Sequence, residues 1–439
     1  MSATKQLARE IFLHTLASID IPAVMERKLC LTRHGRLVLT DASVDLAHAS
    51  SILIVAIGKA AHAMVAGLVS LFPSGQAFQG VVTAPTQPIA PVPGLEYFVG
   101  GHPIPNRDSW RAAEATLRLL DQCDERTVVF FLLSGGGSAL VELPLAPSMT
   151  LAEVQEVNRT LVTCGAPIEA MNTVRRHLSS IKGGRLALAA GAASKITLAV
   201  TDVPVGKEPA LASGPTLPDP TTINDAKNIF REFDLPSRFP STLREWIEAG
   251  QMPETPKPGH PAFANAHFEL LLGMDDLFHA AHHAVEAHGY FCCCDNSTDD
   301  WPVEQAAAYL LAQLEAWQRE NPGQRVALIA DGEVSSPVAG NGIGGRNSAF
   351  VLACVEKIAG RKITVFSAGT DGIDGNSPAA GAVADGETLA RAKALQLDPA
   401  EAFRESDAYT FFASLDDVIV TGPTGNNLRD LRILFAEPA

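Results

Sequence analysis

Ile52-Leu-Ile-Val-Ala-Ile-Gly-Lys59 is the stretch that decides the fold of this chain. Its six apolar residues predict a buried strand, and Gly58-Lys59 then leads into residues 60–71, which have a helical pattern. A lysine between a strand and a helix can reach an anion at the helix N-terminus, although a solvated surface lysine is the simpler alternative. The spacing of a Walker A phosphate loop is absent.

The same alternation of strands and helices continues along the chain and predicts an α/β protein with parallel sheets. A proline-rich, polar segment from Asp219 to Pro261 predicts the seam between two domains, 1–250 and 262–439. Further strands are predicted at residues 80–83, 128–133, 196–200, 290–294 and 326–330, and further helices at residues 268–288 and 303–318.

The composition is that of a globular protein and excludes several classes of function. Of 439 residues, 46% are hydrophobic and 19% are charged, and the net charge is −15. So acidic a chain lacks the basic surface that nonspecific nucleic-acid binding requires. No apolar run approaches the roughly 18 residues of a membrane span. The seven cysteines show no metal-binding spacing, and a reducing cytoplasm suits them best.

A glycine-rich turn follows the strand predicted at residues 128–133. It consists of Ser134, Gly135, Gly136, Gly137 and Ser138. Three glycines permit close backbone approach, and the serine hydroxyls add donors, so the turn is a candidate phosphate-binding element. A nucleophile elbow would need G-x-S-x-G, which this turn does not contain.

A cluster of basic residues stands out in a chain of such negative charge. Its candidate substrate- or phosphate-binding residues are Asn172, Arg175, Lys182 and Arg185. Arginine suits bidentate binding of carboxylate or phosphate, whereas a solvated helix face with salt bridges is the structural alternative. Asp202 follows the strand predicted at residues 196–200, where a carboxylate can act as a general base or bind Mg²⁺.

Three more glycine-rich turns occupy the last hundred residues: Gly340-Asn-Gly-Ile-Gly-Gly-Arg346, Ala368-Gly-Thr-Asp-Gly-Ile-Asp-Gly375 and Thr421-Gly-Pro-Thr-Gly-Asn-Asn427. Glu333 follows the strand predicted at residues 326–330, and Asp371 and Asp374 follow a β-branched run at residues 363–366 that predicts another strand. These three carboxylates form a candidate metal set. Gly340, Gly342 and Gly345 match the G-x-G-x-x-G of dinucleotide-binding proteins, but the preceding strand ends too early for a tight Rossmann turn.

The order of these motifs resembles the glycerate 2-kinase family, whose members carry a C-terminal MOFRL domain. The resemblance runs from about residue 8 to 436. The motifs are Gly58-Lys59, Gly101-His-Pro103, Ser134-Gly-Gly-Gly-Ser-Ala139, Asn172-Thr-Val-Arg175 with Lys182-Gly-Gly-Arg185, Ser213-Gly-Pro-Thr216, Gly344-Gly-Arg-Asn347, Ser367-Ala-Gly-Thr-Asp-Gly-Ile-Asp-Gly375 and Thr421-Gly-Pro-Thr-Gly425.

The resemblance implies ATP- and Mg²⁺-dependent phosphorylation of D-glycerate at its 2-hydroxyl, giving 2-phosphoglycerate and ADP. It also implies a Rossmann-like N-terminal domain, a smaller α/β domain over about residues 325–436, and a cleft between them. The family's essential lysine falls on Lys59 and its essential arginine on Arg346, and Asp202 is a further catalytic candidate. The expected partners are ATP and D-glycerate, with no nucleic acid or membrane. Whether the protein forms a homodimer is left open.

Other functions stay open, and two departures from the family pattern bear on them. Some family members are labelled hydroxypyruvate reductases, which would require NAD(P)H; a kinase for another small 2-hydroxy acid and a noncatalytic sensor are further alternatives. Ser348-Ala349 stands where the family usually has Gln-Glu, and Val205-Gly-Lys-Glu208 replaces an acidic turn. These changes affect the expected detail of metal and substrate binding.

Overall fold

The computed structural model of the chain describes residues 2–201, 203, 206–426 and 428–438, which form two compact α/β units. The N-terminal unit is Ile21–Gly273, and the C-terminal unit combines Met274–Ala439 with Met1–Asp20. Helix α1 (Ala3–Ser18) thus belongs to the C-terminal unit, whereas the predicted boundaries place it in the first domain. No helix within the described ranges is long and apolar enough to cross a membrane.

The N-terminal unit contains a six-stranded parallel sheet and a small antiparallel sheet. The small sheet consists of β1 (Cys30–Leu31), β2 (Arg36–Val38) and β3 (Ser43–Asp45), and the large one of β4 (Ser51–Ile57), β5 (Gln79–Ala84), β6 (Leu95–Val99), β7 (Thr127–Ser134), β8 (Ser194–Val200) and β9 (Ala266–Leu272). The large sheet has the order β6-β5-β4-β7-β8-β9. All eight residues of β7 are buried, as the continuous apolar runs of parallel sheets require.

Ten α-helices belong to this unit within its described residues. They are α2 (Ile21–Lys28), α3 (Ala61–Ser70), α4 (Arg107–Leu120), α5 (Gly137–Leu140), α6 (Leu151–Thr163), α7 (Ile168–Leu178), α8 (Arg185–Ala189), α9 (Ile223–Glu232), α10 (Leu235–Arg238) and α11 (Ser241–Glu248). Two 3₁₀-helices, Glu208–Ser213 and Pro261–Phe263, complete it. The strands predicted at residues 52–57, 80–83, 128–133 and 196–200 and the helix predicted at 60–71 are confirmed.

The polar segment 219–261 is part of the N-terminal unit and not the predicted seam. It forms α9, α10 and α11, and its apolar residues Phe230, Phe239 and Leu243 are buried in one cluster with Leu161 and Val174. Two of the prolines that suggest a linker stand instead at helix starts, Pro236 in the first turn of α10 and Pro240 before α11.

The C-terminal unit contains a mixed six-stranded sheet. Its strands are β10 (Phe291–Cys294), β11 (Val326–Asp331), β12 (Ile363–Gly369), β13 (Gly381–Asp385), β14 (Val418–Ile419) and β15 (Asp430–Ala436), in the order β10-β11-β15-β12-β13-β14. Strand β15 lies between β11 and β12 and is antiparallel to both. β12 and β13 are antiparallel as well, as are β13 and β14, whereas β10 and β11 pair in parallel. The sheet is therefore mixed, whereas the strand-helix alternation predicts a parallel one.

The remaining helices are α12 (Met274–Ala287), α13 (Val303–Glu320), α14 (Arg346–Val355), α15 (Thr388–Ala394), α16 (Pro399–Arg404) and α17 (Ala408–Ala413). The helix predicted at residues 268–288 begins later than expected. Residues 268–272 form most of β9, which pairs with β8, because a short apolar run fits either element until tertiary pairing decides.

Helix α1 is anchored in the C-terminal unit by a buried lysine. The Lys5 side chain is fully buried, and its Nζ donates to Asp417 Oδ2 at 2.7 Å and to Thr388 Oγ1 at 2.9 Å. Ile11 and Phe12 of the same helix are buried, and the Phe12 ring packs at 5.2 Å from that of Phe366. Both polar and apolar contacts therefore fix α1.

Replacing Lys5 by Met should lower the free energy of unfolding by about 1–3 kcal/mol, because Asp417 and Asp385 lose a buried cation while Asp417 keeps its ion pair with Arg391. Urea unfolding measured by circular dichroism tests this. The exposed Gln6→Ala on the same helix is the control and should change stability by less than about 0.5 kcal/mol. Equal stability of the two variants would contradict the anchoring role.

Candidate active site

The parallel sheet reverses its strand order between β4 and β7. From β4 the chain adds β5 and β6 on one side, and from β7 it adds β8 and β9 on the other. In open α/β sheets, ligands bind outside the carboxyl ends of the strands at this point of reversal. Gly58-Lys59 follows β4 and the Ser134–Ser138 turn begins at the end of β7, so the topology brings together two predicted elements.

Direct hydrogen bonds join these two turns. The Lys59 N–H donates to Gly135 O at 2.9 Å, and the Ala60 N–H donates to the buried Ser134 Oγ at 3.0 Å. Gly58 has a φ of 134°, and a Cβ there would lie 2.1 Å from Ser134 Oγ. Only glycine permits this approach. The pairing fixes the backbone that carries Lys59 against the glycine turn.

A chain of polar contacts connects the glycine turn to the predicted basic cluster. Ser138 Oγ lies 2.9 Å from Ser213 Oγ, and Ser213 Oγ donates to Asn172 Oδ1 at 3.2 Å. Arg175 Nη1 donates to the same Asn172 oxygen at 3.3 Å. The predicted residues Ser138, Asn172 and Arg175 are therefore gathered at one place through Ser213.

The other two cations of the predicted cluster are placed differently. Lys182 is 1% exposed, and its Nζ forms an ion pair with the buried Glu142. Arg185 is also buried and donates to the carbonyl oxygens of Arg176 and Pro253. Burial lowers the pKa of Lys182 against the opposing effect of Glu142, and it lowers the pKa of Arg185 to about 10.

These intramolecular contacts alter the interpretation of the basic cluster. The sequence predicts that Lys182 and Arg185 bind a ligand. In the structure, both side chains are buried and bonded to groups of their own unit. Arg175 is half-buried and makes no ion pair with any residue that the structure describes. Arg175 is therefore the member of this group that best presents a positive charge to an anion.

His102 lies beside the glycine turn. A Cβ on Gly136, whose φ is 84°, would come within 3.3 Å of the His102 ring. Burial and then the positive charge of Lys59 lower the pKa of His102, so the ring is neutral at pH 7. The predicted catalytic Asp202 lies outside the described residues, as does Val205, the first residue of the departure at residues 205–208. Lys207, the cation in that departure, pairs with Glu169 at 3.0 Å.

A second group of charges surrounds Arg346 at one edge of the C-terminal sheet. Because β11 and β12 are both antiparallel to β15, their carboxyl ends and the start of β15 share this edge. Arg346 Nη1 pairs with Glu333 Oε2 at 2.6 Å, and its Nε pairs with Asp430 Oδ2 at 2.5 Å. Burial lowers the pKa of Arg346, but these two carboxylates outweigh it and hold the pKa above its ordinary value.

Two buried charged residues, Arg432 and Asp331, lie next to this edge of the sheet. Arg432 is fully buried, donates to Gly332 O, and lies with its guanidinium 5.4 Å from the centre of the Phe350 ring. Asp331 is 1% exposed, and Arg429 Nη1 approaches its Oδ1 at 3.7 Å. Burial raises the pKa of Asp331 despite both arginines.

The predicted metal set is not assembled. Asp374 is buried at the start of α14, where it accepts hydrogen bonds from the Asn347 and Ser348 N–H groups at 2.9 and 2.8 Å and from Ser348 Oγ at 2.6 Å. Glu333 pairs with Arg346 instead. Among the residues that the structure describes, no three His, Cys, Asp or Glu side chains are gathered to hold a metal, so Glu333, Asp371 and Asp374 do not form one site.

The glycines of the dinucleotide-like motif have packing roles. A Cβ on Gly340 would lie 2.5 Å from Glu405 O, and one on Gly342 would lie 2.5 Å from Asp407 Cβ. A Cβ on Gly345 would lie 2.3 Å from Asp374 Oδ1. These glycines allow the loop before α14 to pack closely against its own unit, which accounts for the motif without a nucleotide.

Three residues at these clusters were not among the predicted site residues. Ser213 links Ser138 to Asn172, Asp430 orients Arg346, and Glu142 neutralises Lys182. Asp430 starts β15, a strand that the sequence patterns do not predict, so no argument from strand ends could point to it. Ser213 stands in a recognisable Ser-Gly-Pro-Thr motif, and that motif could have marked it as a site residue. Its partners Ser138 and Asn172 are distant in sequence, so its linking role could not be predicted.

Replacing Asp374 by Asn should lower the free energy of unfolding by about 1–3 kcal/mol, because an amide nitrogen would face one of the three donors at the start of α14. Chemical denaturation measures the change. The exposed Glu401→Gln in the same unit should leave stability within about 0.5 kcal/mol. A variant with normal stability and weakened Mg²⁺ binding would favour the predicted metal role over capping.

Comparisons with known proteins agree with this architecture. The family described as a domain of unknown function (DUF4147) matches residues 7–248, and the MOFRL family matches residues 326–430. The D-glycerate 2-kinase of Thermotoga maritima is 33% identical over 385 residues, which cover 87% of this chain and 90% of that protein. An Agrobacterium vitis protein named putative hydroxypyruvate reductase is 32% identical over 439 residues, covering 99% of this chain and 94% of that protein.

A solved structure is similar over nearly the whole chain. The crystal structure of a glycerate kinase from Thermotoga maritima matches with a TM-score of 0.83 and 30% sequence identity, and the match covers 99% of each chain. The family matches, the identities and the shared fold lead to one conclusion: the chain belongs to the glycerate kinase family, whose members combine a DUF4147 domain with a MOFRL domain.

Proposed function

We propose that this protein is a glycerate kinase, which transfers the γ-phosphoryl group of ATP to D-glycerate. The observation that carries the proposal is the cluster at the strand-order reversal, where the Lys59 backbone, the Ser134–Ser138 turn and Arg175 converge in a chain of net charge −15. Concentrating cationic and hydrogen-bonding groups at one place in an acidic protein suits an anionic substrate. Relatives named glycerate kinases support the same reaction.

Phosphoryl transfer depends chiefly on positioning and on electrostatic stabilisation of the charge that develops on the phosphoryl oxygens. In this proposal, the Arg175 guanidinium binds the glycerate carboxylate, for which its planar fork is suited. Lys59 supplies a compact positive charge for a phosphate oxygen, and the glycine turn of residues 134–138 lets backbone N–H groups approach it. The neutral His102 adds no positive charge beside Lys59.

Arg346 is proposed as a second group that stabilises negative charge. Its ion pairs with Glu333 and Asp430 hold the guanidinium in one orientation, and such preorganisation strengthens transition-state stabilisation. Asp202 is proposed to accept the proton of the reacting hydroxyl, one of the two roles, general base or Mg²⁺ ligand, that the sequence leaves open for it. Magnesium is proposed to enter bound to ATP, as part of the nucleotide substrate.

Purified protein should release ADP when it is given D-glycerate and MgATP, and a coupled assay measures the rate. Lys59→Ala and Arg346→Ala should each lower kcat/KM about 100- to 1,000-fold, because each removes a charge that stabilises the transition state. Arg346→Lys keeps the charge but loses the fork, so it should also be impaired. Lys227→Ala and Arg404→Ala, which remove exposed cations, are the matched controls.

Near-normal rates in both Lys59→Ala and Arg346→Ala would refute the residue assignment, whereas no turnover by folded wild-type protein would refute the kinase proposal itself. Oxidation of NAD(P)H with hydroxypyruvate and without ATP would favour the reductase that some relatives are named for. Ligand binding without ADP release would instead favour a sensor.

The product is proposed to be 2-phosphoglycerate, as the name of the Thermotoga maritima relative suggests. The ³¹P NMR spectrum of the reaction mixture distinguishes it from 3-phosphoglycerate, since the phosphorus couples to one proton in the first and to two in the second. A doublet is the expected signal. A triplet would show phosphorylation at the 3-hydroxyl and would leave the glycerate kinase assignment intact.

A further inference from the structure

The loop that carries Ser213 is held in a backbone conformation that side chains disfavour. Ala212, Ser213 and Gly214 have φ values of 49°, 61° and 62°, and only the last of these residues lacks a Cβ. Left-handed backbone at two consecutive non-glycine residues costs free energy and persists only where the surroundings impose it. Here the Gly183 N–H donates to Ser213 O at 3.1 Å, and the Gly184 N–H donates to Gly214 O at 2.7 Å.

This conformation places the loop directly against the glycine turn. A Cβ on Gly137 would lie 2.7 Å from the Cβ of Ala212, so the two segments are in close contact. The Ser213 side chain is fully buried, and its hydroxyl lies between Ser138 Oγ and Asn172 Oδ1. The left-handed backbone therefore places the Ser213 hydroxyl between the glycine turn and Asn172, which are two of the predicted binding elements.

The chemistry of these groups fixes the direction of the hydrogen bonds. Asn172 Oδ1 is an acceptor only, so both Ser213 and Arg175 donate to it. A serine hydroxyl has a single proton, and that of Ser213 is already used. The 2.9 Å contact between Ser213 and Ser138 must therefore use the proton of Ser138. Ser138 Oγ is left with its lone pairs and no free proton.

We propose that Ser213 is a positioning residue that makes Ser138 a hydrogen-bond acceptor for a substrate hydroxyl, beside the Arg175 guanidinium that binds the substrate carboxylate. The inference rests on the proposed function and specifies its substrate recognition. An acceptor that is joined to a cation through Ser213 and Asn172 matches a hydroxy carboxylate, because the hydroxyl donates to Ser138 while the carboxylate pairs with Arg175. A simple carboxylate lacks the donor, so the lone pairs of Ser138 accept no hydrogen bond from it.

Binding of small carboxylates to the full chain, without ATP, tests this inference by ligand-observed NMR titration. The probes are propanoate, lactate and 3-hydroxypropanoate, which carry no hydroxyl, a 2-hydroxyl and a 3-hydroxyl. For the wild type, the tighter of the two hydroxylated probes should bind about 3- to 10-fold more tightly than propanoate, the difference expected for one neutral hydrogen bond. Since no turnover is needed, the result is independent of whether the protein proves to be a kinase.

Two variants separate the effect of the Ser213 hydroxyl from that of the left-handed backbone. Ser213→Ala removes the hydroxyl and keeps the unfavourable left-handed backbone, whereas Ser213→Gly removes the hydroxyl and relieves it. In both, Ser213 no longer fixes the Ser138 proton, and Ser138 can donate to a carboxylate instead of accepting from a substrate hydroxyl. The ratio of affinities should therefore fall toward one, although the stabilities of the two variants change in opposite directions. Thr127→Val is the control, since it removes a buried hydroxyl that donates to Asp124 at the opposite end of β7 from the glycine turn.

An unchanged affinity ratio in folded Ser213→Ala and Ser213→Gly would overturn the inference, and so would a wild-type protein that binds propanoate as tightly as both hydroxylated probes. A ratio that follows stability, falling in Ser213→Ala and rising in Ser213→Gly, would show a merely structural role. If the wild-type protein released no ADP but showed the expected affinity ratio, the kinase proposal alone would be refuted.

Discussion

The N-terminal unit depends on one close approach, between the turn after β4 and the turn after β7. Parallel strands splay where their order reverses, and the resulting crevice is useful only if the turns at its floor are fixed. Here the Ala60 N–H and the buried Ser134 hydroxyl form that link, and the absence of a Cβ at Gly58 permits it. The position of Lys59, the shape of the glycine turn and the contact with the Ser213 loop all follow from this constraint.

Much of the N-terminal fold could be predicted from sequence, because parallel strands are buried on both faces and appear as continuous apolar runs. The stretches at residues 52–57 and 128–133 are of this kind, and each carries its glycine turn at the correct end. The prediction failed where a run is short or mixed. Residues 268–272 could belong to a helix or a strand, and β15 contains the charged residues Asp430 and Arg432, which conceal it.

The candidate sites were predictable only in part, for a related reason. Sequence indicates which side chains are cationic, but not which cations are already neutralised. Lys182 and Arg175 are both cations in one basic segment. Glu142, forty residues from Lys182, forms a buried ion pair with the lysine and so neutralises its charge. Likewise, Asp374 follows a strand as a metal ligand might, but the free N–H groups at the start of α14 use its oxygens. Such partners lie far apart in the sequence and meet only in the folded chain.

The assignment of helix α1 to the C-terminal unit bears on the order in which the protein can fold during synthesis. The N-terminal unit, residues 21–273, is in effect an insertion within the other unit and can complete its sheet as soon as β9 emerges. Helix α1 leaves the ribosome before the N-terminal unit but must wait for Asp417 and β15 before its buried face is covered. Until then its apolar residues and Lys5 stay exposed, so the interval before chain completion is when this protein is most vulnerable to misassembly.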